Sequence, residues 1–73
     1  MVQPGRYRHF KGREYQVLGT ANHSETLEPY VVYKALYGEG QLWIRPEALF
    51  MGTVRVEGRD VPRFEYLDSG DPT

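Results

Sequence analysis

The run His23-Ser24-Glu25-Thr26 sets an imidazole, two hydroxyls and a carboxylate side by side. These are the groups of nucleophilic catalysis, which needs a base within hydrogen-bond reach of a nucleophile and a third group orienting the base. On an extended backbone neighbours point to opposite sides, so His23 diverges from Ser24 and shares a side with Glu25. The commoner use of such residues is a loop held by side-chain-to-backbone hydrogen bonds. Arg45 and Arg63 form a second candidate, each close to a proline and an aromatic residue. A guanidinium fork matches phosphate or carboxylate, so the pair reads as an anion clamp with His23 nearby. The plainer alternative is exposed pairing with Glu25, Glu28 or Glu47, which contributes little. A third candidate is aromatic: Tyr33, Tyr37 and the single tryptophan, Trp43, beside Arg45. Such a surface suits stacked bases, proline-rich peptides or methylated lysine. The structural alternative makes Trp43 the corner of a small cluster, its indole N–H bonded to backbone.

Several chemistries are poorly served. The chain has no cysteine and only His9 and His23, on separate segments, so no metal or other cofactor is expected. No glycine pattern fits a phosphate loop. The net charge of −1 argues against strong non-specific nucleic-acid binding, so a peptide or a small anionic ligand is the preferred partner. Sign is unevenly spread: Arg6, Arg8, Lys11 and Arg13 crowd the start, and Asp60, Glu65, Asp68 and Asp71 the end. No apolar run approaches the length of a membrane span and no signal-peptide core is visible, so no membrane partner and a cytoplasmic location are expected.

The elements that must position these residues are short strands. Arg6 to Phe10 alternates, with Tyr7 opposite in direction to Arg6 and Arg8. Lys11 to Glu14 reads as a turn in which Gly12 takes positive φ. Tyr15 to Ala21 is a second strand, whose Gly19 and Ala21 suggest a bend. A polar loop leads to Tyr30–Tyr37, then a glycine turn and Gln41–Arg45. Pro46 to Phe50 favours one helical or 3₁₀ turn, and Thr53–Val56 and Val61–Leu67 are the last strands. The fold class is therefore all-β: a partly open barrel of five to six antiparallel strands in one domain over residues 1–73. The ordered part is expected over 5–67, with a flexible tail at 68–73. By analogy the barrel is SH3-like.

The central hairpin carries the sharpest expectation. A loop of Gly38, Glu39 and Gly40, with Gly40 left-handed, sets Ala35 opposite Trp43 and Tyr33 opposite Arg45. It avoids setting Lys34 against Arg45. The core face then holds Val32, Leu36, Leu42 and Ile44. The opposite face holds Tyr33, Ala35, Tyr37, Gln41, Trp43 and Arg45, with a Tyr33–Arg45 cation–π contact.

A series of short patterns occurs in one order: GRYRHFKGREY, A-x-H-x-E-T over Ala21–Thr26, VVY over Val31–Tyr33, LWIRP over Leu42–Pro46, Phe50, and PRF over Pro62–Phe64. In this the chain resembles a family of short bacterial proteins known as domain of unknown function 1653, over about residues 5 to 66. The resemblance implies an SH3-like barrel and a bacterial, cytosolic setting. It implies no activity, ligand or catalytic residue. Its pattern falls here on His23, Thr26, Tyr33, Trp43, Arg45, Pro46, Arg63 and Phe64.

The preferred expectation is a non-enzymatic binding module presenting Tyr33, Trp43, Arg45 and Arg63, with His23 and Thr26 at the rim, for a peptide, a small anion or single-stranded nucleic acid. One alternative is a small hydrolase or transferase using His23 with Glu25 or Thr26 on an anionic substrate. Another is a protein–protein or homodimer contact through an edge strand or the aromatic face.

Overall fold

The computed structural model describes residues 2–70. The chain runs β1 (Gly5–His9), β2 (Glu14–Asn22), β3 (Pro29–Ala35), β4 (Leu42–Pro46), α1 (Glu47–Phe50), β5 (Thr53–Val56), β6 (Arg59–Pro62) and β7 (Phe64–Asp68). Strands β1 to β4 form a meander of hairpins, and β7 returns to pair with β1. This makes a sheet of order β4-β3-β2-β1-β7, while β5 and β6 pair as a separate hairpin. Every pairing is antiparallel.

The all-β class, the open architecture and the one helical turn agree with the sequence reading. Among the described residues the strands number seven, and the two sheets do not close into a barrel. The expected last strand divides at Arg63. Its backbone N–H donates to the Gly52 carbonyl and its carbonyl accepts from Phe10, tying the small hairpin to the large sheet. Asp68 belongs to β7, paired with Arg6, instead of beginning a tail. Asp71 to Thr73, the end of that expected tail, lie outside the described residues. At the other end Val2 is buried in the core, so the packed region starts earlier than Gly5.

The core is aromatic. One face of the large sheet carries Tyr7, Val17, Val31, Tyr33, Ala35 and Phe64, all buried, and α1 lays Phe50 across it. Phe50 stacks on Phe64 with ring centroids 4.1 Å apart at 7°. It meets Tyr7 and Tyr33 edge-on, each at 5.4 Å. Offset and edge-to-face contacts of this kind add to the large area each ring buries.

The expected core face is therefore inverted. Leu42 and Ile44 are 62% and 64% exposed, on the outer face with Leu36, while the Tyr33 face is packed. The register also differs. Tyr33 pairs with Trp43, Val31 with Arg45 and Lys34 with Leu42. The Ala35 N–H donates to the Gln41 carbonyl, so the connection is Leu36 to Gly40, longer than the expected glycine turn. Gly40 is left-handed as expected, φ 67°, and so is Gly38, φ 57°. Because the slip is by an even step, Tyr33, Trp43 and Arg45 still share one face; only their partners change. The bend expected near Gly19 is a bulge in which Leu18 is the extra residue between the Val17 and Gly19 pairings.

Phe50 is the keystone that α1 contributes. Phe50→Ala is expected to cost about 3–5 kcal/mol, as for other buried phenylalanine truncations. Urea unfolding checks this: the midpoint falls while the slope with denaturant is unchanged.

Candidate aromatic–arginine cleft

The core face does not stop where α1 stops covering it. Toward the β4 edge it opens into a cleft of about 180 Å³ lined by Tyr15, Tyr33, Tyr37, Trp43 and Arg45. The ladder explains the grouping. Tyr15 pairs with Ala35, whose methyl leaves room above it, and Tyr33 pairs with Trp43. Tyr15 meets Tyr33 and Tyr37 edge-on, at 5.3 and 5.5 Å. The Tyr15 and Tyr37 hydroxyls hydrogen-bond at 2.8 Å. A second depression of about 240 Å³, lined by Ala35, Tyr37, Gly38, Glu39, Gln41 and Trp43, shares Tyr37 and Trp43 with the first. Trp43 sits between them, 47% exposed, at the edge of the packed face. Its indole N–H has no hydrogen-bond partner among the described residues, so the backbone-bonded corner is not formed.

Cations lie against rings at and beside this cleft. The Arg13 guanidinium lies 4.3 Å from the Tyr37 ring centre, and Arg45 lies 5.4 Å from that of Phe64. The expected Tyr33–Arg45 contact is thus replaced by Arg45 over Phe64. His9 is wedged against Phe10 and Phe64, at 4.5 and 4.9 Å, and its Nδ1 accepts the Lys11 backbone N–H. Burial holds its protonation below the usual imidazole range, and the charges of Arg45, Arg63 and Lys11 depress it further. Among the described residues, every ion pair uses Arg6, Arg8 or Arg55; none holds Lys11, Arg13, Arg45 or Arg63. The expected pairing of Arg45 and Arg63 with Glu25, Glu28 or Glu47 is absent. Arg63 Nε is buried with no hydrogen-bond partner. Leaving such a donor unmatched typically costs about 1–3 kcal/mol.

The site residues named from sequence therefore divide. Tyr33, Trp43 and Arg45 line the cleft, with Tyr33 forming its buried floor. Arg63 lines neither depression; its charge, like those of Arg45 and Lys11, acts on His9. His23 and Thr26 belong to the distant β2–β3 loop. His23 Nδ1 accepts the backbone N–H groups of Glu25 and Thr26, at 3.2 and 3.3 Å. Thr26 Oγ1 accepts that of Glu28 at 3.2 Å, and the His23 ring leans on Tyr30. His23 is thus a loop cap: among the described residues no carboxylate orients it, its Nδ1 is occupied as an acceptor, and it lines neither cleft. Tyr15 and His9 were missed as site residues. Their signal was parity, since Tyr7, His9 and the paired Tyr15 fall on one side of β1 and β2.

What these features define is a small open β-sheet protein whose aromatic core face runs out into a cation-rimmed cleft. The chain belongs to the family described as protein of unknown function DUF1653, whose model matches residues 5–66. It is similar to a crystal structure of a DUF1653 protein from Bordetella bronchiseptica, at 36% identity and a TM-score of 0.86, over 99% of this chain and 95% of that one. No curated protein matches the chain.

Tyr15 gives the site a titration signature. Burial first, then the hydrogen bond and proximity of Tyr37, push its phenol up to about 12, against the slight opposing pull of Arg13. A raised folded-state value means that this contribution to stability is complete below the unfolded tyrosine value of about 10 and is lost as pH rises through about 12. Alkaline ultraviolet titration of the folded protein is expected to show a tyrosinate step near pH 12 that Tyr15→Phe removes.

Proposed function

We propose that this protein is a non-enzymatic binding module whose cleft takes a ligand carrying an anionic group beside a planar face. The observation that supports this most strongly is the state of Arg63 and Arg45. Both residues are partly buried, neither has an acidic partner among the described residues, and Arg63 Nε is buried and unmatched. Placing a charge in a partly dry site without a counter-charge is unfavourable, and an anion docking there offsets that cost. The neighbouring Trp43 and Tyr37 rings offer the planar face.

Chemistry catalysed by His23 lacks support in the geometry, since its imidazole is spent on the loop backbone. A second, protein-binding role finds support on the other face. Leu36, Leu42 and Ile44 are exposed there beside the open edge of β4. Light scattering tests its simplest form: a dimer that Ile44→Lys dissolves supports it, and a monomer at high concentration removes it.

Titration of the isotope-labelled protein with inorganic phosphate and with a mononucleotide tests the cleft. Shifts are expected at the Trp43 indole, the Arg45 and Arg63 side chains and His9, whose protonation rises as the anion offsets the surrounding cations. Arg45→Ala is expected to weaken the interaction about tenfold or more, the worth of one charge-assisted hydrogen bond. Shifts confined to His23 and its loop, or none in the cleft, would overturn the proposal.

A further inference from the structure

Resting on that cleft, we propose that its ligand is a segment of single-stranded nucleic acid, with a base on Trp43 and Tyr37 and successive phosphates on Arg45, Arg63, Arg13 and Lys11. A lone small anion would need only the guanidiniums around His9. The surface supplies more than that. Arg13 is stacked on Tyr37 and Lys11 stands near the Phe10 ring, both exposed and neither ion-paired among the described residues. Lys11 and Arg13 belong to the β1–β2 turn, and Arg45, which lines the cleft, belongs to β4. An electropositive track beside stackable rings is the arrangement that suits a single strand.

The net charge of −1 hides these unpaired cations because several of the acids are paired elsewhere. Glu14 and Asp68 are held by Arg6 and Arg8 on the outer face, and Asp60 pairs with Arg55 in the β5–β6 hairpin. An acid at the cleft sorts the ligand further. Glu39 lines the depression on the far side of Trp43, with Gln41 beside it. A carboxylate there repels phosphate and accepts hydrogen bonds from the amino edge of a base, so that depression is the base subsite and the Arg45 side the phosphate subsite. The two depressions meet at Trp43 and Tyr37, which gives the base an aromatic surface on the way between them. The unmatched indole N–H supplies one more donor. Duplex recognition is not offered: α1 spans only Glu47–Phe50, too short to enter a groove.

Fluorescence anisotropy with a labelled single-stranded oligonucleotide of about eight nucleotides tests the proposal. Inorganic phosphate, a mononucleotide, a duplex of the same sequence and an acidic peptide serve as competitors. The oligonucleotide is expected to bind at least tenfold tighter than any of them. Its affinity should fall with salt at a log–log slope of about −2 to −3, for three or four neutralised phosphates. Trp43→Ala should weaken it at least tenfold, with Trp43→Phe recovering most of the loss and circular dichroism unchanged in both. If the mononucleotide or phosphate moves Trp43 and Arg63 while the oligonucleotide binds no tighter, this inference is overturned and the cleft reading stands. An acidic peptide binding as tightly as the oligonucleotide overturns it equally. Should no anion bind the folded protein, both fall together.

Discussion

The packing of Phe50 against Phe64 is the contact on which the rest depends. A chain of 73 residues without cysteine has little with which to build a core, and this one builds it from rings. Alternation along β1, β2, β3 and β7 brings Tyr7, Val17, Tyr33 and Phe64 to one face, and a single helical turn lays Phe50 over them. That turn covers only part of the face. Tyr15, Tyr37 and Trp43 continue the same aromatic surface beyond its cover, where solvent reaches them. Core and cleft are thus one continuous layer, and the residues that stabilise the fold also position the candidate site.

Electrostatics follow from the same division into faces. On the outer face Arg6 makes a bidentate pair with Asp68 and a further bond to Glu14 at 2.7 Å. The Arg6 hydrogen bond, with help from the Gly70 backbone, keeps the Asp68 carboxyl below the usual range, while Arg6 itself is raised. These exposed groups pin β7 to β1 and to β2 with modest energy. The cleft side has no such matching. Its cations meet rings instead of carboxylates, and His9 among them is held toward its neutral form.

Much of this was legible in the sequence. Turn glycines, the Pro46 helix start and the spacing of strands marked the elements closely, because these depend on local backbone preference. The face that carries Tyr33, Trp43 and Arg45 was also legible, since period-2 alternation survives an even slip of register. What failed was the choice of core face. Val32, Leu36, Leu42 and Ile44 look like a core when aliphatic residues are counted, yet the tyrosines bury more area and Val17 and Val31 lie with them. The hairpin register failed because a loop with two left-handed glycines accommodates more than one length. His23 looked chemical in sequence and proved structural because only the fold shows which hydrogen bonds a loop consumes. The placement of His9 and Arg45 against Phe64 depends on β7 returning to β1, a long-range pairing that no local pattern encodes.

On the binding role proposed above, Arg63 is kept for a ligand at some expense of stability. The most direct measurement is paired denaturant unfolding and phosphate titration of Arg63→Met, which keeps the bulk and removes the unmatched charge. The account predicts a stability equal to or about 1 kcal/mol above that of the parent, since an orphaned buried donor is removed, together with loss of the phosphate response at the Trp43 indole. A variant destabilised by about 2 kcal/mol or more, or one that still answers phosphate at Trp43, would contradict it, because Arg63 would then be holding the fold together and not waiting for an anion.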